Sequence, residues 1–553
     1  MIHADFHRIL FLLFTHCLTA GLLQAATDPA AVPHLADTGQ ATQLVVDGEP
    51  FLVLGGELHN STSSSRAYLE PFWPQLAEDG LNTVLAVVSW DLVEPEEGVY
   101  DFSMVDGLLE DARAHDLKLV LLWFGSWKNG LSHYIPDWVK RDRERFPFAR
   151  TRHGSPEILS VFSESNREAD ARAYAAFMRH VREVDGDSHT VIMVQVQNEV
   201  GLHGDSRDRS APADAAWAEQ VPRELMTYLQ NNRDRLGKSL HELWRGQGFP
   251  DRGSWADVLG TGEAAEEAFM AWHYGRYIDA VAAAGKAEYP IPSFVNAWIV
   301  QPQDEHPGEY PAGGPQAHVL DLWEAAAPHI DLLCPDIYLP DFQEICEQYV
   351  RPGNPLFVPE SRSGVQGMAQ AFLAIGRFDA IGYSPFGIEG RLDGFSAYPV
   401  LAQLTPLILE HQGTDRLYAV SLTRDNPSET FSMGGYRLKA SLVSHYRPVE
   451  PPERGYGIFI ATGEDEFLIA GGDLQVTFAS DEPGETVGLA TVEEGVFEDG
   501  EWVPGRTLNG DEIMLSYAFD ELIQEGQTGT GVKMRGASPQ IQKATLYRFN
   551  GSD

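Results

Sequence analysis

Short apolar runs rich in β-branched residues recur along most of the chain, and each turns polar or aromatic at its C-terminal end. Residues 51–54 run into Gly55-Gly56-Glu57, with His59 and Asn60 just beyond. Residues 81–88 end at Ser89-Trp90-Asp91, and residues 117–124 at Gly125-Ser126-Trp127-Lys128-Asn129. Residues 191–194 pass through Gln195 and Gln197 to Asn198-Glu199. Further runs cover 293–298, 330–338 (closing on Asp336-Ile337-Tyr338), 356–360 (closing on Glu360) and 380–386. A run that is apolar throughout, without two-residue alternation, suits a parallel strand covered on both faces.

Helical patterns lie between these runs. They fall at about 68–79, closed by Gly80 as a C-cap, at 103–115 and at 168–184. A long acidic and polar segment, about 202–290, carries an Ala/Glu-rich helix with Trp272, His273, Tyr274 and Tyr277. Strands alternating with helices over this length predict an α/β fold, a (β/α)8 TIM barrel with loop insertions, over residues 40–415. Past 415 the pattern changes to short strands, at 455–461, 466–470, 474–478 and 545–549, separated by Gly-, Asp- and Pro-bearing turns. Residues 416–553 therefore read as a smaller all-β sandwich-like domain. Its few exposed-looking aromatics favour a brace for the barrel over a carbohydrate binder.

Charge narrows the partners. The 81 acidic against 40 basic residues give a formal charge of −41. That opposes nucleic acid, anionic lipid and anionic polymers such as pectin, and leaves neutral ligands unaffected. At the N-terminus, Arg8 precedes an apolar stretch, a second apolar run covers 18–23, and Ala25 and Ala26 follow. This reads as a secretory signal over residues 1–26, cleaved near Ala25 or Ala26, and implies a secreted, periplasmic protein with no membrane contact after cleavage. Thr15 and His16 interrupt the run too early for a comfortable membrane span. Of the three cysteines, Cys334 and Cys346 remain after cleavage and are expected to be buried free thiols. No Cys/His spacing resembles a metal site, and neither metal nor cofactor is expected. A homodimer is compatible with the sequence.

In a (β/α)8 barrel the C-terminal ends of the strands carry the chemistry. Glu199 closes strand four and Glu360 closes strand seven, so both face the same rim. Two carboxyl groups across one pocket are what glycoside hydrolysis needs. One attacks the anomeric carbon and the other protonates the leaving oxygen. The acid must keep its proton, through burial or a neighbouring charge. Asn198 is placed to bond a sugar hydroxyl, ideally the 2-OH. Tyr338 is placed to hold Glu360 by its phenol, with Arg362 favouring the same charged state. Trp90 and Trp127 are the best candidates for stacking on a sugar face, with Trp123, Trp298 and Phe386 behind them, and Asn129 sits on the same rim. A tryptophan in a barrel is as readily packed core, and His59 reads either as functional or as a buried support.

The joint pattern resembles the clan of retaining (β/α)8 glycosidases and, within it, glycoside hydrolase family 35, the β-galactosidases. The carrying residues are Leu81-Asn82-Thr83-Val84, Trp90, Glu94-Pro95-Glu96-Glu97-Gly98-Val99-Tyr100-Asp101-Phe102 and Val194-Gln195-Val196-Gln197-Asn198-Glu199-Val200-Gly201. Family 42 β-galactosidases share the Trp90 and Glu94-Pro95 pattern. The resemblance covers about residues 45–400, and the C-terminal module is similar to the β-domain of a bacterial branch associated with xyloglucan. It implies a retaining exo-β-galactosidase acting on a neutral β-galactoside oligosaccharide, with Glu199 as acid/base and Glu360 as nucleophile. The alternatives are another β-glycosidase of the clan (arabinosidase, mannanase or glucanase) and a non-catalytic carbohydrate-binding barrel. Two departures stand out. Many members of the family end strand three in Asn-Ala-Glu or Cys-Ala-Glu, where this chain has Trp127-Lys128-Asn129-Gly130. They have Glu where this chain has Gln197. A different sugar-binding shell is expected from both.

Overall fold

The computed structural model describes residues 32–389, 395–443, 450–480, 482, 484–515 and 530–550. The segment read as a secretory signal lies outside the described residues. Among the described residues no helix is long and apolar enough to cross a membrane.

Eight parallel strands form one sheet: β1 (Val53–Glu57), β2 (Thr83–Ser89), β3 (Lys118–Lys128), β4 (Val191–Asn198), β5 (Ser293–Trp298), β6 (Leu332–Asp336), β7 (Phe357–Ser361) and β8 (Gly382–Pro385). Their order is β7-β8-β1-β2-β3-β4-β5-β6. The sheet closes where Ile337, just past β6, bridges to Ser361 of β7, its N–H donating to the Glu360 carbonyl at 3.0 Å. This is the TIM-type barrel expected from the apolar runs. Its interior is an apolar layer that includes Val53, Leu85, Val87, Val120, Leu122, Phe124, Phe294, Leu332, Cys334 and Phe357. Leu44 and Val46, from an antiparallel ribbon of His34–Asp37, Thr42–Val46 and Glu49–Phe51, join the same cluster and floor the barrel.

The outer layer includes α1 (Ser103–Ala114), α2 (Glu164–Asp185), α3 (Glu263–Lys286), α4 (Gly364–Arg377) and α5 (Tyr398–His411). Helix α2 starts earlier than its apolar period suggests, because the Ser163 side chain accepts the Asn166 N–H and caps it. The segment expected as one helix over 68–79 is broken into Arg66–Leu69, a 3-10 turn Glu70–Phe72 and Trp73–Glu78. Pro71 and Pro74 each remove a backbone donor and cause the break.

After α5 the chain builds two antiparallel sheets, of six and five strands, beginning at Leu417–Thr423. The first three strands of the six-stranded sheet, Leu417–Thr423, Arg454–Ala461 and Glu466–Gly472, are buried on both faces, with a two-residue period. Ala419, Tyr456, Ile458, Ile460, Leu468 and Ala470 belong to the barrel's outer core. Val420, Leu422, Phe459, Ala461, Phe467 and Ile469 point the other way, into the core between the two sheets. Helix α4, which follows β7, packs on this sheet through Gly376. A Cβ there would meet Ile458 Cγ1 at 2.7 Å and Ala419 Cβ at 2.8 Å. Gly376→Leu is expected to destabilise the protein by about 1–3 kcal/mol through overpacking, read as a lowered midpoint in denaturant unfolding.

Candidate active site

The polar C-terminal ends of the strands meet inside the barrel mouth. Glu57 ends β1, Lys128 ends β3, Asp336 ends β6, and Glu199 follows β4 directly. Glu360 is the penultimate residue of β7. All five side chains are buried. One carboxylate oxygen from each of Glu199, Asp336 and Glu360 lies within 4.8 Å of the others. The expectation that Glu199 and Glu360 share one rim therefore agrees with the geometry, and a third carboxyl group, Asp336, stands with them.

Each of the two glutamates is held by a donor. The Tyr338 phenol donates to Glu360 Oε1 at 2.7 Å, leaving Oε2 without a partner. The Asn129 amide donates to Glu199 Oε2 at 2.5 Å. The Glu199 backbone N–H donates to Asn296 Oδ1 at 2.9 Å, and the Asn296 amide donates to Asp336 Oδ2 at 2.7 Å. The backbone at Asn129 (φ +52°), Gln197 (φ +67°) and Glu199 (φ +44°) is left-handed at non-glycine residues. Such conformations cost of order 1 kcal/mol or more each and concentrate at functional sites. Here they turn Glu199 and Asn129 towards each other at the ends of neighbouring strands.

Burial and the Glu360 charge push the Glu199 carboxyl up to about 8, more than the opposing pull of Lys128 can offset. Burial, then the charges of Glu360, Glu199 and Glu57, push Asp336 well above the usual carboxylate range. Glu57 rises likewise, through burial first and Glu360 second. Lys128 moves against its own burial. Desolvation alone would lower it, but the carboxyl groups of Glu360, Glu199, Glu57 and Asp336 together hold it above an ordinary lysine. At neutral pH the site thus offers a protonated acid, Glu199, beside Glu360. That arrangement can donate a proton on one side of a bond while a carboxylate attacks on the other.

Several predicted substrate-binding residues lie elsewhere. Trp90 is 0% exposed, and its indole N–H donates to Glu94 Oε2 at 2.8 Å. Trp127 is 0% exposed and packs edge-on against Tyr274 and Tyr277 of α3. Both are packed core behind the strands rather than stacking platforms, because their position near a strand end does not say which face they point to. Trp123 is buried in the same outer layer, whereas Trp298, Tyr338 and Phe386 are half-buried at the rim. Asn129 serves Glu199 directly. Asn198 is buried with both amide atoms unpartnered, next to Glu199. Arg362 is exposed, and its Nε donates to the Tyr338 carbonyl at 2.7 Å, not to Glu360. Gln197 faces outward, accepting the Trp127 N–H at 3.0 Å and donating to the buried Asp170 at 2.6 Å. It therefore buttresses the wall and does not alter a sugar-binding shell. His59 pairs with Glu389 at 3.0 Å, at the barrel mouth beside Phe386. Cys334 and Cys346 are free and buried. The functional groups missed from sequence are Glu57, Asp336 and Lys128. The available signal was a charged residue ending an otherwise buried strand.

A β-galactosidase family model matches residues 65–246, a stretch that holds Glu199 but not Glu360, and a model described as a domain of unknown function (DUF5597) matches residues 395–519. The chain is 28% identical over 226 residues to a β-galactosidase of Xanthomonas manihotis, covering 40% of this chain and 35% of that protein. It is 34% identical over 105 residues to an exo-β-D-glucosaminidase of Pyrococcus horikoshii, covering 17% of this chain and 13% of that one. These matches therefore span about a third or less of the curated relatives' own length. A β-galactosidase structure from the psychrophilic Marinomonas ef1 overlays with a TM-score of 0.43 at 14% identity, over 66% of this chain and 61% of that one.

Glu199 holds its proton in the folded protein between its ordinary value of 4.5 and about 8, where the unfolded chain has lost it. Folding then takes up a proton, so stability must fall as pH rises through that window. The thermal midpoint of the wild type is expected to drop from pH 5 to pH 8. The drop in Glu199→Gln should be smaller, with the difference at pH 8 worth more than about 1 kcal/mol. Comparing the two proteins removes the contribution of the overall negative charge, which acts in the same direction.

Proposed function

We propose that this protein is a retaining β-galactosidase that removes terminal β-linked galactose from neutral oligosaccharides, with Glu360 as nucleophile and Glu199 as acid/base. The observation that carries this reading is the close approach of the two carboxyl groups, within 4.8 Å at their nearest oxygens. Retention by a covalent intermediate uses carboxyl groups about 5–5.5 Å apart, whereas inversion needs about 6.5–9.5 Å to seat a water between them. The raised Glu199 and the Tyr338 phenol on Glu360 support the division of roles.

In the first step Glu360 attacks the anomeric carbon while Glu199 passes its proton to the leaving oxygen. In the second, Glu199 takes a proton from water, which attacks the glycosyl-enzyme and releases galactose with its configuration retained. Asn198, with both amide atoms free, is the group we assign to a sugar hydroxyl beside the reacting carbon. The β-galactosidase match over residues 65–246 and the Xanthomonas relative support the galactoside assignment. Membership of family 35 as opposed to family 42, plant xyloglucan side chains as natural substrate, and export to the periplasm belong to the same proposal. They rest on the sequence resemblance and on residues 1–26.

Glu199→Ala and Glu360→Ala are each expected to lower turnover of an aryl β-galactoside at least ~100-fold. Azide should rescue Glu199→Ala by giving the β-galactosyl azide, since the covalent intermediate still forms. Any rescue of Glu360→Ala should give the α-azide. The reverse product pattern exchanges the two roles, and full activity in either variant removes the assignment. Hydrolysis across a panel of aryl β-glycosides should be greatest for the galactoside. Preference for the glucosaminide, arabinoside or glucoside moves the protein to another glycosidase of the clan.

A further inference from the structure

Lys128 is an unusual residue for the place it occupies. It ends β3 inside the barrel, is 7% exposed, and has its ammonium 5.2 Å from the centre of the Phe124 ring. Among the described residues Nζ forms no ion pair and no hydrogen bond. A buried ammonium with neither partner costs several kcal/mol unless a surrounding field repays it. The groups that face it are Glu57 from β1, Glu199 after β4, Asp336 from β6, Glu360 from β7 and the Tyr134 phenol from the loop after β3. Arg362, the nearest cation in sequence to Glu360, has its guanidinium turned to the Tyr338 carbonyl.

We propose that Lys128 is a positioning residue whose ammonium supplies the counter-charge that keeps the Glu360 carboxylate ionised inside the crowd of buried carboxyl groups. This rests on the reading of Glu360 as nucleophile and extends it by naming the group that keeps it charged. Burial and the neighbouring charges push three of the four carboxyl groups, Glu57, Glu199 and Asp336, upward. The fourth must give its proton up to attack carbon, and hydrogen bonding from Tyr338 reaches only one of its oxygens. Lys128 is the cation that the barrel sets among them, buried at the end of β3 and in register with Asn198, the residue before Glu199. An ammonium is suited to this role because it is a compact charge that keeps its distance from a carboxylate without forming a bidentate pair that would block attack.

The test is the pH dependence of kcat/KM on an aryl β-galactoside for wild type, Lys128→Met and Lys128→Arg. Lys128→Met is expected to lower kcat/KM at its optimum at least ~10-fold and to move the acid limb up by about one pH unit or more. The basic limb should move up as well, because Lys128 also lowers Glu199. Lys128→Arg keeps a cation and should return both limbs to the wild-type positions. Lost activity with unmoved limbs in Lys128→Met would mean that the residue is merely structural and would overturn the proposal, as would limbs displaced equally in Lys128→Arg. A second measurement needs no turnover: carbon-13 titration of the glutamate carboxyls, with the Glu360 signal assigned by its loss in Glu360→Gln. Replacing Lys128 should move that titration to higher pH, and an unchanged titration rejects the proposal even if wild type proves inactive on every glycoside tried. Inactivity of wild type alone would overturn the functional reading and leave the carbon titration to decide Lys128.

Discussion

The constraint on which the site depends is the confinement of four carboxyl groups and one ammonium, all buried, in one barrel mouth. Water would dilute their mutual repulsion to about 1 kcal/mol per pair at 4 Å, whereas the protein interior multiplies it several-fold. Burial and mutual repulsion push Glu57, Glu199 and Asp336 upward, and Lys128 stands among them as the opposite charge. The positions of these groups follow from the barrel itself. Parallel strands bring their C-terminal residues to one rim, so charges far apart in sequence become close neighbours. The folded state bears the electrostatic strain, and apolar burial below the rim offsets it.

The layer below the charges is therefore as much a part of the site as the charges. Phe124 lies under Lys128, and Leu332 and Cys334 precede Asp336 on β6. The N-terminal ribbon closes the floor with Leu44 and Val46. A close-packed apolar floor leaves no place for water below the charges, and it fixes the strands whose ends carry them. The left-handed residues Asn129 and Glu199 are held in this frame by the hydrogen bond between their own side chains.

Much of this was legible in the sequence, and the boundary of legibility is physical. Apolar runs identified each barrel strand because a strand covered on both faces has no room for polar side chains. Glu199, Glu360 and Tyr338 stood out because charge or a phenol at the end of such a run has few reasons to be there. Facing was not legible. Trp90, Trp127 and Gln197 sit beside rim residues in sequence yet point into the outer layer: Trp90 opens a short helix after β2, and the slip in register between Trp123 and Lys128 changes which side chains of β3 and β4 look inward. Lys128 was read as a departure from a family pattern, not as a functional group, because its role exists only when Glu57, Asp336 and Glu360 arrive from other strands. The start of α2 was missed for a similar reason. Its first turn is polar and is stabilised by a cap, which leaves no apolar period to see.

The part of the six-stranded sheet that is buried on both faces changes how the chain can be divided. One face is the barrel's own outer wall and the other closes the core between the two sheets. Cutting the chain after α5 would leave an apolar scar along α4, the helix that follows the strand bearing Glu360. A fragment with such a scar is prone to self-association. The C-terminal sheets are thus not a cargo that can be exchanged for another module by recombination at residue 415. Any successful graft must bring with it a surface that fits around Gly376, so the two halves of the chain are bound to change together.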